Sequence, residues 1–428
     1  MMLPGSRTGM VAMAGVLVLR STALSQANIL PAPGTIVLVG GVLIDGTGRA
    51  PVENAVIVVE GGTIRAVGRK SLVPIPPDAR VIDATGKWVL PGFIDLHVHL
   101  TYPTGMPQYS IEGTALISDT EAGLRALTFM NMFLRKGITA VRDVGGAVVP
   151  LQVLMRGASE GWINSTRLFA AGRVITTTGG HATLPFAREA NGPWDFRLAV
   201  RENFKAGFRL IKLSPTYTRE EAQAAVDEAR TLGMRVTSHG GGLSDTWPKT
   251  TMTRIAVEAG VQCIEHLNEM DDDVLDLIAS KGVHIVPTLA IYRERHQKRL
   301  VARELVERRG WTLSMHETLF RKARQRKIVM GIGTDAVGVS RGLYPGLYFT
   351  EMKYFVELGA SPMEAIMAAT QKGALILGEE ARLGTIEPGK LADLQVVSGD
   401  PLKSLEALGL PELVMIGGQL HLFSSPQP

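Results

Sequence analysis

Two histidines one residue apart begin the chemistry of this chain. In Val89-Leu90-Pro91-Gly92-Phe93-Ile94-Asp95-Leu96-His97-Val98-His99-Leu100, an apolar run of strand length opens at a Pro-Gly turn and closes on His97 and His99. A strand's period of two places Asp95, His97 and His99 on one face, and Ile94, Leu96, Val98 and Leu100 on the other. Two neutral imidazoles set one above the other can reach one divalent cation, with the Asp95 carboxylate beneath as an orienting group. A His-x-His pair is common by chance, so it counts only if further ligands arrive in matching places.

They do arrive. Lys212 lies within Arg209-Leu210-Ile211-Lys212-Leu213, while His239, His266 and Asp335 each close a β-rich run. In a parallel barrel all strands end at one rim, so residues distant in sequence converge there on one cavity. A lone strand-end histidine is more often structural, and Asp335 alone could cap a helix, but jointly these residues point to a metal centre. An ammonium among Leu210, Ile211 and Leu213 must pair, snorkel or lose its charge. Beside two cations, a neutral Lys212 amine that adds carbon dioxide would become a bridging carbamate. Mixed imidazole and carboxylate ligands suit zinc. His284, His296, His316 and His421 fall elsewhere in the pattern and read as structural.

The elements that must position these residues are legible. Eight strands are expected, at Phe93 to His99, Ile138 to Val144, Arg167 to Ile175, Phe208 to Ser214, Arg235 to His239, Cys263 to Leu267, His284 to Leu289 and Ile328 to Asp335. Helical stretches alternate with them, as in a parallel sheet covered by helices, and eight strands close a (β/α)8 TIM barrel. Arg219 to Leu232 carries a helical stripe that stops at Gly233, and Ser361-Pro362-Met363-Glu364 is a capping box. Arg293 to Lys327 is helical in pattern and basic, which reads as a solvated face. Residues 34–88 alternate short β-rich runs with turns, including a Gly61-Gly62 hairpin, and a similar pattern returns at 383–425. The expected α/β architecture is therefore a barrel at 89–382 with a small β-sandwich domain built from both chain ends.

Composition narrows the rest. The 428 residues are 45% hydrophobic, with a formal charge of +4, which implies neither a nucleic-acid partner nor a membrane one. Residues 1–27 hold Arg7, an apolar run from Gly9 to Leu19 and the small-residue ending Ser25-Gln26-Ala27, the pattern of a signal peptide. Export to a periplasmic or extracellular space is expected. Cys263 is the only cysteine, so no intrachain disulfide supports the fold.

These motifs together resemble the amidohydrolase superfamily, in its imidazolonepropionase-like and Xaa-Pro dipeptidase-like branch. Leu90 to His99 resembles the opening signature, Gly137 to Asp143 the second strand, Gly333-Thr334-Asp335-Ala336 the last strand, and Leu383 to Asp393 with Gly399-Asp400-Pro401 the closing segment. The resemblance implies one metal held by His97, His99 and Asp335, a second held by His239 and His266, and a carboxylated Lys212 bridging them. It also implies a substrate-contacting, catalytic role for His181 at the end of Thr176-Thr177-Thr178-Gly179-Gly180-His181, and a symmetric homo-oligomer.

The function expected is hydrolysis of an amide bond in a dipeptide-like or N-acyl amino acid substrate, aromatic amides included. Two cations would turn water into a hydroxide nucleophile, with Asp335 as general acid and base. A cyclic amide or lactone hydrolase of the same fold is the alternative, and a non-catalytic scaffold is the alternative of another class. The segment from Thr101 to Thr120 carries Tyr102 and Tyr109 directly after the metal pair, and is expected to bind the acyl side of the substrate.

Overall fold

The computed structural model describes residues 34–102, 117–181, 186–241, 250–268, 270–297, 312–335 and 345–423. The expected export signal at 1–27, Tyr109 and most of the 101–120 segment lie outside these residues.

The chain begins with an auxiliary sheet. Strands β1 (Thr35–Leu43), β2 (Val52–Glu60) and β3 (Thr63–Arg69) form an antiparallel meander, while β4 (Arg80–Asp83) and β5 (Lys87–Pro91) both run parallel to β1. Gly61 and Gly62 make the expected hairpin turn, both at positive φ (54° and 80°), which glycine adopts without strain. The other edge of β5 is covered from the far end of the chain by β15 (Leu394–Ser398), followed by β16 (Leu413–Ile416) and β17 (Gln419–Leu422). All eight strands belong to one hydrogen-bonded sheet. Its period of two sends Ile36, Leu38, Ile57 and Val59 into one core with Leu394, Val396, Leu413 and Met415.

The chain changes sheets at Gly92, a few residues beyond the boundary expected before Val89. Pro91 still pairs with Leu394, whereas Phe93 begins β6 (Phe93–Val98). Pro91 and Gly92 thus form a crossing point and not a turn. A Cβ on residue 92 would lie 2.1 Å from the Thr139 Oγ1, so only glycine fits.

From there the strands are parallel. β6 pairs with β7 (Ile138–Asp143) and β7 with β8 (Arg167–Ala170). A second sheet joins β9 (Val174–Thr176), β11 (Leu210–Leu213), β12 (Arg235–His239), β13 (Cys263–Glu265) and β14 (His284–Val286), with the short β10 (Ala187–Glu189) beside β9. The single strand expected at 167–175 is therefore two, broken at Gly172 (φ 72°), where a Cβ would strike the Phe208 ring. The strand expected at 284–289 is shorter, because Leu289 already begins a helix to Gln297 whose first amides donate to the Glu351 carboxylate.

The eighth expected strand, 328–335, makes only one isolated bridge, Met330 to Ile285. It still joins its neighbours on both sides. Ile285 N donates to Val329 O (3.0 Å) and Gly331 N to Ile285 O (3.1 Å), while Leu96 N donates to Ile332 O and Asp335 N to His97 O (2.9 Å each). Close approach requires the glycines, since a Cβ on residue 331 or 333 would fall within 2.3 or 2.4 Å of Leu96 or Val286. The result is a distorted β/α barrel with an auxiliary sheet.

Helix boundaries follow their local signals. Arg219–Thr231 and Pro362–Ala369 both form the reciprocal capping box, and Gly233 stops the first at φ 67°. The basic segment is less solvated than its pattern implies: His316, Leu319, Phe320 and Ala323 of Leu313–Gln325 are buried.

One buried ion pair ties barrel to auxiliary sheet. Arg167 at the start of β8 donates Nε and Nη2 to the two Asp393 carboxylate oxygens at 2.6 and 3.0 Å, and Gly417 N donates to the same carboxylate at 2.7 Å. Asp393→Ala would strand the guanidinium and should cost about 3–5 kcal/mol, read as a lower urea midpoint at unchanged slope. A loss under about 1 kcal/mol would show the pair to be dispensable.

Candidate metal centre

The strand ends bring the predicted imidazoles into one row. Ring centroids lie 5.2 Å apart for His99 and His97, 4.7 Å for His97 and His266, 4.5 Å for His266 and His239, and 4.8 Å for His239 and His181. Asp335 joins the row at its β6 end, with Oδ1 3.6 Å from His97 Nε2 and 3.7 Å from His99 Nε2. Ligand atoms of His97, His99 and Asp335 all fall within 4.8 Å of one another, the spacing of groups around a cation.

Each ligand candidate is held by its other ring nitrogen. His99 Nδ1 donates to Gly145 O at 2.8 Å and His239 Nδ1 to Gly240 O at 2.7 Å. A carbonyl only accepts, so in a neutral ring Nδ1 carries the proton and Nε2 keeps its lone pair. His97 Nδ1 lies 2.8 Å from Glu265 Oε2, and His266 Nδ1 lies 2.6 Å from the Thr288 hydroxyl. Burial pushes His97, His239 and His266 well below the usual imidazole range and His99 down to about 3. Neutral imidazoles are the form that binds metal.

Lys212 is buried among them, and its ammonium makes no hydrogen bond or ion pair among the described residues. Burial pulls its ammonium down to about 8, against the opposing pull of Glu265 and Asp335. Its neutral form is thus within reach near physiological pH. Neutral imidazoles, a carboxylate and an amine of lowered basicity form a donor set that fits divalent cations.

Backbone strain gathers at the same rim. His266 (φ 72°), Thr288 (φ 50°) and Asp335 (φ 43°) are non-glycine residues in the left-handed region, each at a strand end. Such conformations cost on the order of 1–3 kcal/mol each and persist where the surroundings over-determine them.

Asp95 behaves differently from expectation. A register shift between Asp95 and Val98 interrupts the strand's alternation. Ile94 and Leu96 consequently join a different core cluster from Val98 and Leu100. The Asp95 carboxylate accepts from His97 N, Thr334 N and the Thr334 hydroxyl at 3.1, 3.1 and 2.9 Å. It fastens the backbone of β6 to the Gly333–Asp335 stretch and does not orient an imidazole.

The imidazole-orienting carboxylate is Glu265, which sequence reasoning missed. Its Oε1 accepts from Arg142 Nη2 at 2.6 Å and from the Thr237 hydroxyl, and its Oε2 faces His97. An acidic residue inside the buried run Cys263 to His266 was the available signal. His316, read as structural, stacks on Tyr292 (4.2 Å), whose ring meets His266 edge-on at 5.9 Å. Tyr102 stacks between His99 (4.5 Å) and Phe186 (4.2 Å), and the His181 amide donates to Pro215 O at 2.6 Å.

With this geometry in view, comparison with known proteins is decisive. The model of the amidohydrolase family matches residues 88–421. The chain belongs to that family. As an amidohydrolase it is a metal-dependent hydrolase acting on C–N bonds. Its relatives place it in the imidazolonepropionase and Xaa-Pro dipeptidase branch. A crystal structure of a Xaa-Pro dipeptidase with methionine in its active site superposes with a TM-score of 0.80 at 28% identity, covering 91% of this chain and 100% of that one. Ochratoxinase of Aspergillus niger is 25% identical over 427 residues, spanning 88% of this chain and 84% of the relative. Imidazolonepropionase of Symbiobacterium thermophilum is 25% identical over 392 residues, spanning 82% and 85%.

Glu265→Gln removes the charge that faces both His97 and Arg142. Metal affinity, measured by competition with a chromophoric chelator, should fall about 10- to 100-fold. An affinity within about twofold of wild type would show that Glu265 does not tune the ligand.

Proposed function

We propose that this amidohydrolase cleaves the amide bond of a dipeptide-like or N-acyl amino acid substrate, aromatic amides included. The observation that carries the reading is the row of imidazoles with His181 at one end and the Tyr102–Phe186 stack against His99 at the other. A substrate whose amide lies over the row would meet a polar contact on one side and an aromatic wall on the other. The likeness to a Xaa-Pro dipeptidase and to ochratoxinase supports the same class.

His97, His99 and Asp335 would hold one divalent cation and His239 and His266 a second, zinc by its ligand preference, with Lys212 as a carbamate between them. Cations held there supply, when bound, a polarised carbonyl and a water of lowered pKa. The Lys212 ammonium would first lose one proton, and the neutral amine would then add carbon dioxide and release a second, leaving a carbamate anion where a buried positive charge had been. Asp335, fixed by its amide hydrogen bond to His97 O, takes the proton from the attacking water and delivers it to the leaving amine. His181 donates to the substrate carbonyl or carboxylate.

We take the parallel strands as an eight-stave barrel at 89–382, with the ends 34–88 and 383–425 forming a sandwich-like domain. The protein is exported through residues 1–27 and assembles as a homo-oligomer. Among the described residues no helix is long and apolar enough to cross a membrane.

Lys212→Ala should reduce bound metal from about two ions per chain and abolish most turnover, with short carboxylic acids restoring part of both. Full metal content and full turnover in this variant would remove Lys212 from the bridge.

Metal-loaded enzyme should turn over N-acyl amino acids or dipeptides and leave cyclic amides and lactones intact. Tyr102→Ala should lower kcat/KM for aromatic acyl groups more than for small ones, by about 1–3 kcal/mol of transition-state binding. Activity confined to cyclic substrates, or equal losses on both acyl classes, would overturn the assignment.

A further inference from the structure

A second cavity opens at the opposite end of the barrel strands. It has a volume of about 350 Å³ and is lined by the first residues of three strands, Leu210 of β11, Arg235 of β12 and Cys263 of β13. The metal-centre residues sit at the other ends of these strands, His239 closing β12 and Glu265 closing β13. This cavity is therefore separate from the candidate active site.

Its wall is mainly apolar, with Phe169, Leu210, Ile376 and Leu377 facing the space. Three guanidinium groups interrupt it. Arg142 is committed to Glu265 and to Leu96 O, and Arg209 to the carbonyls of Phe204 and Phe208 and to the Phe204 ring. Arg235 is not committed: among the described residues its guanidinium has neither a hydrogen bond nor an ion pair, although it is only partly exposed. Burial is the main pull that takes it below the usual arginine range; the Arg142 charge adds to it, while Cys263 and the Glu380 carboxylate oppose it without forming an ion pair. The one carboxylate lining the cavity, Glu379, is engaged by Arg382 at 3.3 Å. Gly378 lets the chain close over the arginine, since a Cβ there would lie 2.9 Å from Arg235 Cδ.

We propose that this cavity binds a small organic carboxylate, its acid group paired with Arg235 and its apolar body against Phe169, Leu210, Ile376 and Leu377. A guanidinium presents a planar fork that matches a carboxylate in two hydrogen bonds. A mostly apolar space of this size with one unpaired polar group favours an amphipathic acid over a small hydrated anion such as phosphate. At its inner end the cavity reaches Arg142 and Thr237, both partners of Glu265, so it stops one ion pair short of His97.

The probe is 3-phenylpropionate, with 3-phenylpropionamide as its uncharged counterpart, titrated calorimetrically into metal-loaded full-length protein. The acid should bind, and the amide should bind about tenfold more weakly or less. Arg235→Gln should weaken the acid about tenfold while leaving metal content and turnover unchanged, and Arg235→Lys should keep most of the affinity. An acid that does not bind, or one bound equally well by wild type and Arg235→Gln, overturns the proposal. Binding of the second kind would place the carboxylate at the metal centre.

Discussion

The fully buried Glu265 carboxylate is the joint on which the centre of this barrel depends. It receives Arg142 from β7, the Thr237 hydroxyl from β12 and His97 from β6, so four strands are braced through one side chain. Burying ionised groups is expensive, and the expense is offset only when each partner is satisfied in good geometry. That requirement fixes the His97 ring, and with it the direction of the nitrogen left for a cation. The other imidazoles are fixed by simpler means, the carbonyls of Gly145 and Gly240 and the Thr288 hydroxyl.

The barrel is distorted where this chemistry is placed. Segment 328–335 lacks a regular ladder, yet its glycines bring it against β6 closely enough for Thr334 to grip Asp95 and for Asp335 N to reach His97 O. A regular strand at that place would carry side chains where Leu96 and Val286 already lie. Asp95 and Asp143 do comparable work on either side. Asp143 accepts from Leu100 N at 2.7 Å and Gly145 N at 3.0 Å, which sets the carbonyl that holds His99. Burial lifts both carboxyls to about 7, so these braces are built from groups whose charge is costly in place.

Both ends of the chain serve the same object. β5 leads through Gly92 directly into β6, so the auxiliary sheet sets where the first metal ligands begin. β15 covers the remaining edge of β5, and Asp393 just before it reaches Arg167 on β8. The barrel is thereby tied to the sheet by a covalent junction and a buried ion pair. An unpaired β5 edge would otherwise expose a row of backbone donors and acceptors.

The candidate residues at the rim and the parallel strands were legible in the sequence, because a strand's period and a barrel's common rim are local rules that apply before any contact is known. His97, His99, Lys212, His239, His266 and Asp335 stand out for that reason, as do the capped helices at Thr218 and Ser361. What the sequence did not determine were contacts between strands far apart in the chain. Glu265 and Arg142 are separated by 123 positions and pair only across the barrel interior, and His316 meets Tyr292 only when its helix packs inward. The break at Gly172 is likewise decided from elsewhere in the fold, since the Phe208 ring must first be in place to exclude a side chain there. Local patterns fixed which residues could hold a cation; tertiary packing decided which nitrogen each would offer.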